Sequence, residues 1–288
     1  MTEQRTIAQL GTGTMGLPIA RNLAAAGLPL RVWNRSPDKA APLAGTGVTL
    51  TQSPAEAVTG ADILLTMLYD VDSVEQTVRQ AAENLAAGTT WIQLSTVGVP
   101  GERRLAELAA ELGLSYVDAP VLGTKKPAED GALVVLASGP DEARPVCEPV
   151  FEAIGSRTIW LGPAGAGSRL KLVANAWVLA VLEGISESLT LAGGLGLDPA
   201  LFLEAIRGGA LDAPYVQLKG QAMLDGNWAP SFAVDGAAKD AGLILQAAEQ
   251  AGVALPITEA ALDYLRQASA AGHGDKDMAA IHLAHQHD

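Results

Sequence analysis

Three glycines in the run Gly11-Thr12-Gly13-Thr14-Met15-Gly16 stand between an apolar stretch, Thr6–Leu10, and a helical one that opens with Leu17-Pro18-Ile19. Each glycine has a separate use. The first permits a tight turn, the second lets backbone approach a pyrophosphate, and the third lets the following helix lie close to the strand. The helix start at Thr14, Met15 and Gly16 then offers N–H groups and positive potential to phosphates. Alone, such a run is weak; after a strand and before a helix it reads as a dinucleotide loop. The next apolar run ends in Trp33-Asn34-Arg35-Ser36. An acid here would hold the ribose hydroxyls of NAD, and none is present. Arg35 is suited to a 2′-phosphate, with Ser36 and Asn34 as hydrogen-bond donors, so the expected cofactor is NADP(H).

Further along, Lys171 and Asn175 lie four residues apart in a strongly apolar segment, LKLVANAWVLAVL. At that spacing they share one helical face. A cation and an amide in apolar surroundings are costly unless paired or put to use. Periodicity leaves two readings open: a functional amine, or a lysine whose head snorkels to the nearest water.

The elements that must carry these residues fall into two patterns. Apolar runs at Thr6–Leu10, Leu30–Trp33, Ile63–Met67, Thr90–Leu94 and Ser115–Asp118 alternate with amphipathic segments such as Val71–Ala87 and Gly101–Leu112. That alternation predicts parallel βαβ units. Ala132–Ser138 and Thr158–Leu161 are expected to extend the same sheet. Beyond the glycine-rich turn Gly162–Gly167 no strand is expected. A helix is expected over Ser168–Leu195, buried on most sides, followed by helices at Pro199–Ile206, Tyr215–Leu224, Ala237–Ala251, Pro256–Ala270 and Lys276–His282. The predicted architecture is α/β: a doubly wound Rossmann domain over residues 1–163, then an all-α domain over 164–288 reached through a long helix.

Composition narrows the function. A net charge of −13 over 288 residues is ill-suited to nucleic acid or to an anionic membrane surface, although local cations can still receive an anionic substrate. The single cysteine, Cys147, allows no internal disulfide and no cysteine metal cluster. The longest apolar segment, Leu172–Leu182, has 11 residues, where a span needs roughly 20. A cytoplasmic setting without membrane or metal is expected. His282, His285 and His287 are read as a frayed tail, and Lys125 and Lys126 either as an attractor for an anionic substrate or as a solvated loop.

Four segments occur in order: GTGTMGLPIARNLAAAG, DAPVLGTKKPAEDGALVVLASG from Asp118 to Gly139, GPAGAGSRLKLVANAW from Gly162 to Trp177, and AAKDAGLILQAA from Ala237 to Ala248. Together they resemble the β-hydroxyacid dehydrogenase family, which includes 3-hydroxyisobutyrate dehydrogenase and has a helical domain of 6-phosphogluconate dehydrogenase-like type. The likeness is greatest to its glyoxylate/succinic semialdehyde reductase branch, which carries the Lys125–Gly131 run and uses NADPH. The resemblance implies that Lys171 is the catalytic acid and base, with Asn175 as helper. It implies that Lys239 reaches the cofactor with Asp240 beside the substrate, and that Leu68 and Thr96 flank the nicotinamide side. It implies a small aldehyde or keto-acid substrate, reversibly reduced to a hydroxyacid, and a homodimer joined through the helical domain.

One departure stands out. The family places Ser-Gly after Asp-x-Pro-Val to hold a carboxylate, and here the sequence is Leu122-Gly123-Thr124. Leu122 has no side-chain donor, which leaves the Gly123 and Thr124 N–H groups and the Thr124 hydroxyl, and makes an imine substrate a rival. Imine reductases share the architecture with another residue at the lysine position. A 6-phosphogluconate-type decarboxylase would need histidine at Ala174, and a non-catalytic dehydrogenase fold used as a binding module would lose Lys171.

Overall fold

The computed structural model describes residues 5–285. The chain divides into two compact units, Met1–Lys171 and Leu172–Asp288. The division lies inside a helix, beyond the glycine-rich turn at which the sequence suggests a boundary.

The first unit runs β1 (Ile7–Leu10), α1 (Gly16–Ala25), β2 (Leu30–Trp33), β3 (Thr49–Leu50), α2 (Pro54–Val58), β4 (Ile63–Thr66), α3 (Val71–Ala81), β5 (Thr90–Gln93), α4 (Gly98–Glu111) and β6 (Ser115–Asp118). These strands form one sheet in the order β3-β2-β1-β4-β5-β6, every pair parallel. The order reverses between β1 and β4, where an open parallel sheet leaves a crevice at its carboxyl end. Both faces are covered. Ile7, Ile63, Leu65 and Ile92 join one apolar core, and Ala8, Leu10, Leu64 and Trp91 join the other. This two-residue alternation, apolar on both sides, is why the strands read as unbroken apolar runs.

The chain continues through β7 (Val121–Leu122), α5 (Lys125–Glu129), β8 (Leu133–Ala137), α6 (Arg144–Ile154) and β9 (Gly155–Trp160). Here the expectation of one extended sheet is corrected. β7, β8 and β9 form a separate sheet, with β7–β8 antiparallel and β8–β9 parallel. Ala119-Pro120 follows β6, and the Leu136 N–H donates to Pro120 O at 2.9 Å. Asp118 at the end of β6 and Ser138, the residue after β8, form an isolated antiparallel bridge. β3 and β7, two residues each, were too short to show a period in the sequence.

A helix of 29 residues, α7 (Ala166–Gly194), starts in the first unit and continues into the second. The second unit adds α8 (Ala200–Ile206), α9 (Pro214–Leu224), α10 (Val234–Ala251), α11 (Pro256–Ala268) and a 3₁₀ segment, Met278–Ala284; the last replaces the α-helix expected over Lys276–His282. Among the described residues it contains no strand, only the bridge Ala233↔Asp277. By length and composition α7 could cross a membrane. Its burial gives a different account: Leu172, Leu179, Leu182, Ile185 and Leu189 are buried together with Asn175, Glu183 and Ser186. The expectation of burial on most sides is also corrected, because Val173, Trp177 and Leu191 on another face are 66%, 71% and 62% exposed.

The histidines are not a frayed tail where described. His282 and His285 are buried. Ser186 Oγ lies 3.0 Å from His282 Nδ1, His285 Nε2 lies 2.7 Å from Glu183 Oε1, and Tyr264 stacks on His285. Polar partners on α7, one turn apart at Glu183 and Ser186, turn this segment inward. His287 lies outside the described residues. Lys125 and Lys126 pair with Glu129 of their own helix and with Asp130 just after it, the behaviour of a solvated face.

Two buried acids give the fold opposite responses to pH. Asp277 accepts from Lys219 Nζ at 2.6 Å and from Ser231 N and Oγ at 2.8 and 2.7 Å. Burial pushes its carboxyl up, but Lys219, the Ala279 N–H and Ser231 together hold it below its ordinary 3.8. Its contribution is present above that value and is lost as pH falls. Glu102 on α4 is pushed from 4.5 to about 7, first by burial and then by the charge of Asp118, against the pull of Arg169 and Arg103; the Tyr116 phenol also feels its charge. Its contribution is complete below 4.5 and is lost as pH rises through about 7. Glu102→Gln is expected to raise Tm relative to the native chain more at mildly alkaline than at mildly acidic pH, and an equal shift at both would refute this assignment. Asp277→Ala, which strands a buried ammonium, is expected to cost about 3–5 kcal/mol in denaturant unfolding; a loss below about 1 kcal/mol would mark the pair as no stronger than a surface one.

Candidate active site

At the carboxyl end of β1 the backbone leaves no room for a side chain at Gly11 or Gly16. A Cβ on Gly11, whose φ is +108°, would lie 2.2 Å from Met67 O, and one on Gly16 would lie 2.2 Å from Gly11 O. A Cβ on Gly13 would meet nothing within 4 Å. Gly11 and Gly16 are thus fixed by the protein itself, while Gly13 faces open space of the kind a pyrophosphate needs. The Thr12 hydroxyl, buried in the same loop and without a hydrogen-bond partner, is a further polar atom suited to a bound phosphate. This cradle, at the reversal of the strand order, fits a dinucleotide.

The loop is held by a residue that the sequence reading passed over. Gln9, fully buried in β1, donates through Nε2 to Gly11 O at 2.9 Å and to Gly16 O at 2.6 Å. One amide thus spans both ends of the glycine run. Asn34 holds the middle: Oδ1 accepts from Thr12 N at 2.9 Å, and Nδ2 donates to Ser36 O at 2.9 Å. Asn34 therefore braces the loop against the end of β2. Arg35 and Ser36 are exposed beside it.

Leu68 and the Ser95-Thr96 pair come to the same edge of the sheet. Leu68 Cδ2 would lie 3.0 Å from a Cβ on Gly11, and Leu68 N donates to Ser95 Oγ at 2.8 Å. Gln93 closes the β5 loop by accepting from Ser95 N at 2.6 Å and donating to Ser95 O at 2.9 Å. A side-chain hydrogen bond therefore joins the loops after β1 and β2, and another joins those after β4 and β5. A signal for the missed residues existed: Gln9 and Gln93 are the polar members of otherwise apolar strand runs, where a buried amide needs partners.

Elsewhere in the first unit, Leu122 ends β7 and Gly123, with φ +124°, turns into α5. A Cβ on Gly123 would lie 2.8 Å from Leu133 Cδ2. Thr124 precedes α5, and its side chain makes no cap bond. Lys171 closes this unit on the second turn of α7. In the second unit, Asn175 of α7 donates through Nδ2 to Asp240 Oδ2 at 2.8 Å, and Lys239 Nζ lies 2.8 Å from Asp240 Oδ1. Asp240, 4% exposed, sits between an amide and a cation. The predicted residues Asn175, Lys239 and Asp240 thus form one cluster on α7 and α10.

The chain is similar to known proteins over most of its length. Residues 6–162 match the family described as the NAD binding domain of 6-phosphogluconate dehydrogenase. Residues 165–284 match that described as the NAD-binding domain of NADP-dependent 3-hydroxyisobutyrate dehydrogenase. Glyoxylate/succinic semialdehyde reductase 2 of Arabidopsis thaliana is 33% identical, with 96% of this chain and 78% of that protein covered. Reductase 1 of the same plant is 32% identical, with 94% and 95% covered. A solved 3-hydroxyisobutyrate dehydrogenase from Salmonella typhimurium superposes with a TM-score of 0.89 at 26% identity, covering 97% of this chain and 99% of that one. With a dinucleotide cradle at the carboxyl end of a Rossmann sheet, the chain belongs to the β-hydroxyacid dehydrogenase family, oxidoreductases that act on hydroxyacids with a nicotinamide cofactor.

Proposed function

We propose that this protein is an NADP(H)-dependent reductase of a small aldehyde or keto acid, working reversibly toward a hydroxyacid, with Lys171 as its general acid and base. The observation that carries this reading is the cluster around Asn175. With Nδ2 given to Asp240, Asn175 Oδ1 is the atom that can accept from the Lys171 ammonium or from a substrate hydroxyl. The spacing of four residues places Lys171 on the same face of α7, about 6 Å along the axis. The bound nicotinamide supplies or receives the hydride. As negative charge grows on the carbonyl oxygen, the Lys171 ammonium stabilises it and donates the proton; in the reverse direction the neutral amine takes the alcohol proton. Preference for NADP(H) rests on Arg35 and Ser36 beside the loop and on the absence of an acid at the end of β2.

Leu122 shapes the substrate range. Without a serine hydroxyl, a substrate carboxylate depends on the N–H groups of Gly123 and Thr124, and the pocket wall is more apolar. A lower preference for compact anions such as glyoxylate than for longer semialdehydes follows. The same replacement keeps a cyclic imine in the substrate screen, while Lys171 favours the carbonyl. A homodimer is proposed on the apolar face of α7. Val173, Trp177 and Leu191 stand exposed along it, with Leu195, Leu197 and Leu201 just beyond, more contiguous apolar surface than a soluble monomer usually leaves open.

Lys171→Ala is expected to lower kcat by about 10²–10⁴-fold while NADPH binding, read by nicotinamide fluorescence, persists; near-native turnover would end the proposal. Arg35→Asp is expected to weaken NADPH about 10–100-fold, the worth of a charge-assisted hydrogen bond, and NADH far less. Equal losses for both would refute the phosphate pairing. Leu191→Glu together with Leu195→Glu is expected to convert a dimer to a monomer in light scattering, and a dimer that survives would move the interface elsewhere.

A further inference from the structure

The helix that carries Lys171 begins in a socket built by the ends of β6 and β8. A Cβ on Gly167 would lie 2.2 Å from Leu136 O and 3.0 Å from Asp118 O, so the first turn of α7 is pressed backbone to backbone against both strands. Three side chains fix it there. Gly167 N donates to Ser138 Oγ at 2.9 Å. Ser168 N donates to Asp118 Oδ2 at 2.8 Å, and Ser168 Oγ donates to Asp118 Oδ1 at 2.7 Å. Ser138 Oγ in turn donates to Asp118 Oδ2 at 3.1 Å. Asp118 and Ser138 are 0% exposed, and Ser168 is 3% exposed.

A helix ordinarily takes its cap from the residue just before it. Here that residue is Gly165, which has no side chain. The cap comes instead from Asp118, 50 residues before Ser168. The difference is geometric. A local cap satisfies N–H groups and leaves the helix free to rotate as a body; a carboxylate anchored at the end of β6, gripping both the N–H and the hydroxyl of one residue, fixes the rotation of the helix about its axis. Burial pushes the Asp118 carboxyl upward while its bonds to Ser168, Ser138 and Gly165 oppose that rise, and the positive end of α7 favours its charge. Such an arrangement is expensive for capping alone.

Ser168 and Lys171 are three residues apart, neighbours on one helical face with a rise of about 4.5 Å between them. Whatever turns the first residue turns the second. We propose that Asp118 is a positioning residue of the reaction: through Ser168, with Ser138 acting through Gly167, it sets the rotation and height of the first turn of α7 and thereby the place of the Lys171 amine. This rests on the reading of Lys171 as the proton donor. A displacement of about 1 Å at a reacting group can cost on the order of 100-fold in rate, so a cap that holds rotation has catalytic weight without touching substrate.

The test is a double-variant cycle on the full-length protein, with kcat, KM and NADPH affinity measured for each member. Asp118→Asn removes the charge and one acceptor; Ser168→Ala removes a single hydroxyl and keeps the test open where Asp118→Asn does not fold. Each is expected to lower kcat about 10–100-fold, with KM for NADPH and its Kd changed less than about twofold. In the Lys171→Ala background neither should lower the residual rate further, because a device that acts through the amine has nothing to act on once the amine is gone. Asp118→Glu, which keeps the charge at the wrong reach, should not restore kcat. Full kcat in Ser168→Ala, or losses that multiply with Lys171→Ala, would overturn the proposal and leave the role of Lys171 intact. Full activity in Lys171→Ala itself would instead overturn the reading beneath it.

Discussion

Everything at the cofactor end of the sheet depends on the contact between the backbone of Gly16 and that of Gly11. Helix α1 begins so close to the end of β1 that a single methyl on Gly16 would collide with Gly11 O. That approach aims the N–H groups of the first helical turn over the crevice where the strand order reverses. The turn would still be a soft object without Gln9, whose one amide ties its two ends, and Asn34, which ties its centre to β2. A loop of glycines has the highest conformational entropy to lose, and the protein meets that cost with a buried amide on β1 and a half-buried one just after β2.

The same device recurs wherever the molecule must fix a helix to something distant. Asp118 grips the start of α7, Asp277 holds α9 and the 3₁₀ segment through Lys219 and Ser231, and Glu183 and Ser186 receive the two described histidines near the chain's end. Each is a buried charge or dipole whose desolvation is offset only by several partners at once. Such groups specify a geometry more than they add stability, because removing any one partner leaves the others exposed to the full cost of burial. Glu102 is the exception: it lacks enough donors, and it responds by holding its proton to about pH 7.

The long helix shows how composition and burial can disagree. Its residues are apolar nearly all round, and one stripe of them remains at the surface of the single chain. A stripe of this kind is unstable against water and stable against a second apolar face. It is the physical ground on which the homodimer is proposed. The polar residues on the buried face, Asn175, Glu183 and Ser186, show in turn that the helix has been given partners inside the protein.

By itself the sequence determined the local order of things: the strand–glycine–helix opening, the alternation that makes a parallel sheet, the change to helices after Gly162, and the four-residue spacing of Lys171 and Asn175. These are legible because they are periodic or depend on backbone freedom at a few neighbouring positions. Tertiary structure alone decided what distant residues do to one another. It separated β7, β8 and β9 into their own sheet, turned His282 and His285 inward, committed Asn34 to the loop, and gave α7 a cap from Asp118. A side chain's partners 20 or 100 residues away leave no trace in local pattern, because the energy of a buried hydrogen bond depends on where the whole chain puts its two ends and not on the types of the residues between them.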